Sequence, residues 1–184
     1  MIHVACLGDS ITEGSPYWDA RTQTGDVRGQ WQHWAAQLRP ELEFTNLGRH
    51  GQRTDEILAR VAQAVEGAEV LIVQGGINDI AQHRPVAAAA ANLERTLGRA
   101  RLVGVPVAVC DVLPWNNATP EQARAIDELN ALIHAFDVLV LPFHDTLADP
   151  ERPGRMKDEW THADGDHPSL LGYQRLGELA FALP

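Results

Sequence analysis

The chain opens with Ile2-His3-Val4-Ala5-Cys6-Leu7-Gly8-Asp9-Ser10-Ile11-Thr12, an almost wholly apolar run that ends in Gly-Asp-Ser. A short continuous apolar run is typical of a β-strand that is buried on both faces, as strands of parallel sheets are. Polar residues directly after such a strand stand at the carboxyl edge of the sheet, where open α/β sheets bind their ligands. The stretch therefore predicts a parallel sheet with Ser10 at its ligand-binding edge.

Strand-like and helix-like segments alternate about five times along the chain, which favours a parallel sheet covered by helices on both faces. The predicted strands lie at 2–7, 42–47, 69–73, 105–109 and 138–141, and the predicted helices at 30–38, 54–65, 85–101, from 119 onward and at 169–183. A chain of 184 residues is too short for an eight-fold barrel. We expect one α/β domain over residues 1–184, with three α/β/α layers and a flavodoxin-like five-stranded parallel sheet of order 2-1-3-4-5.

The charge of the chain excludes several classes of partner. Fifteen Lys and Arg residues against 25 Asp and Glu residues give a net charge of −10, which disfavours nucleic acid and anionic membrane. No apolar run approaches the roughly 20 residues of a membrane span. The first strand begins at Ile2 and leaves no room for a signal peptide, so a cytoplasmic protein is expected.

Polar motifs follow four of the predicted strands at the point where each strand ends. These motifs are Gly8-Asp9-Ser10, Asn46-Leu47-Gly48, Gly76-Ile77-Asn78-Asp79 and Asp111. Because the carboxyl ends of parallel strands converge on one crevice, we expect these motifs to meet there. Near the chain end, Asp164-Gly165-Asp166-His167-Pro168 offers a histidine base and an acid to orient it, as a nucleophilic serine requires.

Each motif also has a structural interpretation. Ser10 and Glu13 fit the capping box Ser-x-x-Glu, so Ser10 is also a candidate helix cap. Gly48 suits a tight turn, and Asn78 suits a turn with a side chain that binds its own backbone. A non-catalytic module that kept only the crevice is therefore the alternative from another class of function.

The late histidine motif has a further alternative, a metal site. Plausible metal ligands in this stretch are His162, Asp164, Asp166 and His167. No other obvious ligand cluster lies upstream, so we expect neither a metal nor a cofactor. The residues alone leave open whether Asp164 or Asp166 orients His167.

Taken together and in this order, the four blocks resemble the SGNH hydrolase superfamily, which contains the GDSL esterases and lipases. The matching blocks are Gly8-Asp9-Ser10-Ile11, Asn46-Leu47-Gly48-Arg49-His50-Gly51, Gly76-Ile77-Asn78-Asp79 and Asp164-Gly165-Asp166-His167-Pro168. The resemblance implies that Ser10 is the nucleophile, His167 its base and Asp164 the orienting acid. It also implies an oxyanion hole made by the N–H groups of Ser10 and Gly48 and the side-chain amide of Asn78.

The substrate expected from this resemblance is a small-molecule carboxylic ester. The expected pocket residues are Asp9, Tyr17, Trp18, Arg49, His50 and Trp115. For the aromatic residues among them, packing within the scaffold is the alternative interpretation. No long amphipathic lid is evident, which disfavours action on lipid surfaces. Removal of acetyl groups from sugars and acyl transfer to an acceptor other than water stay open.

Overall fold

The computed structural model describes residues 1–179, which hold seven strands and nine α-helices. The strands are β1 (Ile2–Gly8), β2 (Trp18–Asp19), β3 (Thr24–Gly25), β4 (Leu42–Gly48), β5 (Val70–Val73), β6 (Val107–Cys110) and β7 (Leu139–Leu141). The helices are α1 (Ser10–Glu13), α2 (Trp31–Leu38), α3 (Thr54–Ala59), α4 (Val61–Ala64), α5 (Ile77–Ala81), α6 (Val86–Leu102), α7 (Pro120–His134), α8 (Phe143–Leu147) and α9 (Leu170–Leu179). None of these helices is long and apolar enough to span a bilayer.

Five of the strands form one parallel sheet in the order β4-β1-β5-β6-β7. Counted along the chain, this is the order second, first, third, fourth, fifth, so the predicted α/β fold and flavodoxin-like order are confirmed. The remaining two strands, β2 and β3, pair antiparallel in a small hairpin that the sequence did not predict. The pairing of β1 with β4 ends at Gly8 opposite Gly48, so both strands stop at the same edge.

Side chains of the central strands alternate between two hydrophobic clusters, one on each face of the sheet. Ala5 and Leu7 of β1 belong to the cluster that includes residues of α3, α4, α6 and α7. Val4 and Cys6 belong to the cluster that includes residues of α2, α8 and α9. The helices therefore cover both faces, as expected for strands that are apolar on both sides.

Several helices differ from the sequence prediction. The helix predicted at 54–65 is broken at Arg60, which has φ −99° and ψ −2° and whose guanidinium donates to the carbonyl oxygens of Leu47 and Gly8 at 2.8 and 3.1 Å. The short helices α5 and α8 were not predicted, because five residues are too few to show helical periodicity. The predicted closing helix is present as α9, and its predicted residues 180–183 lie outside the described part of the chain.

Gly48 lies where the end of β4 meets the first turn of α1. A Cβ atom at this position would stand 2.0 Å from the backbone nitrogen of Glu13 and 2.5 Å from its Cα. The N–H of Gly48 donates to Asn46 Oδ1 at 2.9 Å, and Asn46 Nδ2 donates to the carbonyl oxygen of Glu13 at 3.2 Å. The absence of a side chain at Gly48 therefore allows α1 to sit directly on the strand ends.

We expect Gly48→Ala to lower the free energy of unfolding by at least about 3 kcal/mol, because backbone atoms have to move to make room for the methyl group. Gly98→Ala is the matched control, since no atom lies within 4 Å of the added Cβ within α6. It should raise the free energy of unfolding by about 0.5–1 kcal/mol, because alanine favours the helix. Urea unfolding of the three proteins measures both effects, and equal stability of Gly48→Ala and wild type would contradict the close approach.

Candidate active site

Ser10 is the first residue of α1, is separated from the end of β1 by Asp9, and is 5% exposed. The cap of this helix is Asp9, whose Oδ1 accepts the N–H of Ile11 at 3.0 Å. The interpretation of Ser10 as a helix cap was therefore wrong, because Asp9 supplies the capping oxygen. The hydroxyl of Ser10 is left for another contact.

That contact is with His167, which lies 157 residues later in the chain. His167 Nε2 is 3.1 Å from Ser10 Oγ, and His167 Nδ1 is 2.9 Å from Asp164 Oδ2. The other carboxylate oxygen, Asp164 Oδ1, accepts the backbone N–H groups of Asp166 and His167 at 2.9 and 3.1 Å. Both ring nitrogens of His167 are thus engaged, one by the serine and one by the carboxylate.

The carboxylate of Asp164 is held in its ionised form. Partial burial raises its pKa. Hydrogen bonds from the backbone N–H of Asp166 and from the imidazole of His167 lower the pKa by a larger amount, and the resulting value is about 2. An ionised carboxylate accepts a hydrogen bond from Nδ1–H and stabilises a positive charge on the imidazole ring. The arrangement therefore suits a histidine that gains and loses a proton at Nε2.

The carboxylate of Asp166 binds side chains other than His167. Its Oδ1 accepts the indole N–H of Trp115 and the side-chain N–H of Asn117, both at 2.7 Å. Of the two aspartates that sequence reasoning left open, the structure therefore brings Asp164 to the histidine and gives Asp166 to the neighbouring loop. Within residues 1–179, no three His, Cys, Asp or Glu side chains are placed together as metal ligands would be.

The predicted oxyanion donors divide into two groups. The N–H of Gly48 is already satisfied by Asn46 Oδ1 at 2.9 Å, so the structure does not offer it to a ligand. Asn78 Nδ2 donates one proton to the carbonyl oxygen of Gln52 at 3.0 Å, and the second proton of that amide has no partner among the described residues. The same holds for the backbone N–H of Ser10 at the start of α1, where helices leave their first N–H groups unpaired.

Gly51 is a candidate donor of a free backbone N–H that the sequence analysis did not identify. Gly51 has φ +76°, and an added Cβ would meet nothing within 4 Å. In the part of the chain that the structure describes, its N–H has no hydrogen-bond partner, and it directly precedes Gln52, whose carbonyl oxygen accepts a hydrogen bond from Asn78. The signal for it in the sequence is the second glycine of the block Gly48-Arg49-His50-Gly51.

An open cavity of about 840 Å³ lies beside these groups. Its lining residues are Glu13, Ser15, Pro16, Trp18, Asp19, Ala20, Arg21, Arg49, His50, Gly51, Gln52 and Glu56. Of the predicted pocket residues, the structure places Trp18, Arg49 and His50 in this lining. The ring of His50 stacks on that of His167, with centroids 5.8 Å apart and planes inclined by 29°, so the cavity adjoins the histidine.

Other residues predicted at the pocket or at the strand edge have different surroundings. Tyr17 packs edge-on against His162 and Tyr173, with centroids 5.5 and 6.3 Å away. Trp115 packs against a hydrophobic cluster and donates to Asp166. Asp111 binds the side chain of His134 and the backbone N–H of His144, at 3.0 and 2.7 Å. The contacts that the structure shows for these side chains are with other parts of the scaffold.

Asp9 was also predicted at the pocket, and the structure buries it completely. Its Oδ2 is inaccessible and has no hydrogen-bond partner among the described residues. Burial raises the pKa of this carboxyl from 3.8 to about 7, although the N–H of Ile11 opposes the shift. Asp9 therefore supports the site as the N-cap of the helix that carries Ser10, and its side chain is not accessible to a ligand.

The raised pKa of Asp9 makes stability depend on pH. Above pH 4 the unfolded chain ionises this carboxyl while the folded chain keeps it protonated up to about pH 7, so wild type loses stability as the pH rises through this window. We expect Asp9→Asn to gain on the order of 4 kcal/mol relative to wild type between pH 4 and pH 8. Urea unfolding at several pH values measures this difference.

Asp127→Asn, at an exposed position of α7, is the matched control and should follow the pH dependence of wild type. A constant stability difference between Asp9→Asn and wild type across the pH range would show that Asp9 ionises normally in the folded protein.

Comparison with solved structures extends over nearly the whole chain. A GDSL-family protein from Desulfitobacterium hafniense DCB-2 is 21% identical with a TM-score of 0.83, and 98% of each chain is covered. A member of the lipolytic G-D-S-L family from Veillonella parvula DSM 2008 is 19% identical with a TM-score of 0.80, covering 96% of this chain and 94% of that one. The lipase/acylhydrolase from Enterococcus faecalis is 21% identical with a TM-score of 0.76, covering 98% and 94%. At these identities the likeness shows a shared fold.

Comparison of the sequence with families gives a more specific result. No curated protein matches the chain, but the model of the GDSL-like lipase/acylhydrolase family matches residues 6–175. This range contains Ser10, Asn78, Asp164 and His167. The match supports esterase or hydrolase activity, and it shows that the chain belongs to the GDSL-like lipase/acylhydrolase family.

Proposed function

We propose that this protein is a serine esterase that hydrolyses small carboxylic esters through an acyl-enzyme on Ser10. The observation that carries the proposal is the unbroken chain of contacts from Asp164 through His167 to Ser10, at 2.9 and 3.1 Å. These three residue types in this order are the acid, base and nucleophile of acyl transfer. Their position at the carboxyl edge of the sheet is where α/β folds bind substrates.

The proposed reaction has two halves. Ser10 Oγ attacks the ester carbonyl carbon while His167 Nε2 takes the hydroxyl proton, and Asp164 stabilises the imidazolium through Nδ1–H. The tetrahedral intermediate then expels the alcohol, whose oxygen receives the proton from His167. In the second half water attacks the acyl-enzyme, again giving its proton to His167, and the carboxylic acid leaves as Ser10 regains its hydroxyl.

The negative charge on the tetrahedral oxygen requires donors that are already in place. We assign this role to the N–H groups of Ser10 and Gly51 and to the free amide proton of Asn78. The contact between Asn78 Nδ2 and the carbonyl oxygen of Gln52, at 3.0 Å, supports this assignment because it orients the amide. Gly48 is left out, because its N–H already donates to Asn46.

The proposed function is tested by covalent labelling of Ser10. We expect a fluorophosphonate to add one adduct to the peptide that contains Ser10, and wild type to hydrolyse p-nitrophenyl acetate. Ser10→Ala should lose both the adduct and the hydrolysis, because no other serine contacts His167 in the described structure. Ser169→Ala is the matched control, since Ser169 binds the carbonyl oxygen of Glu159 and lies outside the site. An active, unlabelled wild type, or an active Ser10→Ala, would refute the proposal.

The role of the orienting acid gives a second test. Asp164→Asn should lower kcat by roughly 10³–10⁴, because an amide holds the wrong histidine tautomer. Asp166→Asn is the matched control, one residue from His167, and should change kcat by less than about tenfold since Asp166 binds Trp115 and Asn117. Steady-state kinetics on p-nitrophenyl acetate compares the two variants, and a larger loss in Asp166→Asn would reassign the acid.

A further inference from the structure

A second group of serine, histidine and acid lies beside the first. Glu13 is only 4% exposed, and its Oε1 accepts the backbone N–H of Ala20 at 2.9 Å. Its Oε2 accepts the hydroxyl of Ser15 at 3.1 Å, and Ser15 Oγ is 3.2 Å from His50 Nδ1. The proposed catalytic mechanism uses none of these side chains.

The hydrogen bonds of this group determine which nitrogen of His50 carries a proton. The hydroxyl of Ser15 donates to Glu13 Oε2, so the single proton of that hydroxyl is used in this contact. In the contact with His50, Ser15 Oγ is therefore the acceptor and His50 Nδ1–H is the donor. In the neutral ring the other nitrogen, Nε2, is therefore a hydrogen-bond acceptor. His50 Nε2 is thus available to accept a hydrogen bond from a hydroxyl group.

The position of His50 relates it to one part of an ester. Its ring stacks on the ring of His167, with the centroids 5.8 Å apart, and lines the cavity of about 840 Å³. In the proposed reaction His167 gives a proton to the departing alcohol oxygen, so the alcohol portion of the ester lies on the His167 side of Ser10. The cavity next to His50 is therefore the space for the alcohol portion.

The lining of this cavity is polar. Its charged members are Glu13, Asp19, Arg21, Arg49 and Glu56, and its aromatic member is Trp18. An aliphatic chain would displace water from these groups without replacing its hydrogen bonds, at a cost in binding free energy. Hydroxyl groups replace those hydrogen bonds, and the aromatic side chain of Trp18 in the lining adds apolar surface for a ring. The cavity thus favours a ring that carries several hydroxyl groups.

We propose that the natural substrates are acyl esters of sugar-like, polyhydroxylated alcohols, and that His50 is the specificity residue that accepts a hydrogen bond from a hydroxyl of the alcohol portion. Ser15 and Glu13 are positioning residues, because they act through His50. This inference rests on the proposed esterase function and adds a substrate class to it.

Two acetates of primary alcohols on six-membered rings, one polar and one apolar, test the inference. Methyl 6-O-acetyl-glucopyranoside has hydroxyl groups on a six-membered ring, and cyclohexylmethyl acetate has the same acyl group on a ring without hydroxyls. We expect wild-type kcat/KM to be at least about tenfold higher for the sugar ester, because each hydroxyl left out leaves polar groups of the cavity without partners.

A variant of His50 identifies the residue responsible. His50→Phe keeps a flat ring beside His167 and removes both nitrogens, so the preference for the sugar ester should fall roughly 3- to 10-fold, mainly through a higher KM for that ester. His3→Gln is the matched control, since His3 pairs with Glu43 at the amino end of β1 and is far from the carboxyl edge of the sheet. It should leave the preference at the wild-type value.

The outcomes separate this inference from the proposed function. If wild type fails to hydrolyse p-nitrophenyl acetate and Ser10 takes no fluorophosphonate, the esterase function fails and this inference fails with it. If Ser10 is labelled and p-nitrophenyl acetate is hydrolysed, but the two ring acetates are used equally or the cyclohexyl ester is preferred, the inference alone is overturned. An unchanged preference in His50→Phe would overturn the role of His50.

Discussion

The close approach of α1 to the ends of β1 and β4 is the constraint on which the site depends. A Cβ at Gly48 would stand 2.0 Å from the nitrogen of Glu13, and a Cβ at Gly8 would stand 2.3 Å from Thr12 Oγ1. Only glycine fits at such distances. Because α1 rests directly on the sheet, Ser10 is held at a fixed height above the strand ends, and a histidine from a distant loop can reach it.

Two carboxyl groups near Ser10 have pKa values that are shifted in opposite directions, because only one of them lies under the closely packed helix α1. Asp9 lies beneath α1, away from water, and its desolvation raises the pKa to about 7. Asp164 lies on the loop above, partly solvated, and its hydrogen bonds lower the pKa to about 2. The negative charge near His167 is therefore concentrated on the acid that contacts its ring, since the buried acid below stays protonated through much of the acidic range.

The sequence was informative where a signal is local or periodic, and less so where geometry decides. The alternation of strand-like and helix-like segments predicted the parallel sheet, for which the flavodoxin-like order is the simplest topology. The family resemblance pointed to Ser10, Asp164 and His167, which the structure brings together. The resemblance implied an oxyanion role for Gly48 and none for Gly51. Both glycines stand in the same short block, and only the fold shows that the N–H of Gly48 is satisfied by Asn46. The sequence also did not show that Asp9 is fully buried, since the direction of a side chain after a strand end follows from packing.

Two groups of serine, histidine and acid lie side by side, and the order of their hydrogen bonds separates their roles. In one group the acid contacts Nδ1 of His167 and the serine contacts Nε2, so the hydroxyl proton of Ser10 has a base to go to. In the other group Ser15 stands between the acid and Nδ1 of His50, so its proton is directed to Glu13. Ser15 is therefore an acceptor toward its histidine. The same residue types thus give a nucleophile in the first order and a fixed histidine tautomer in the second.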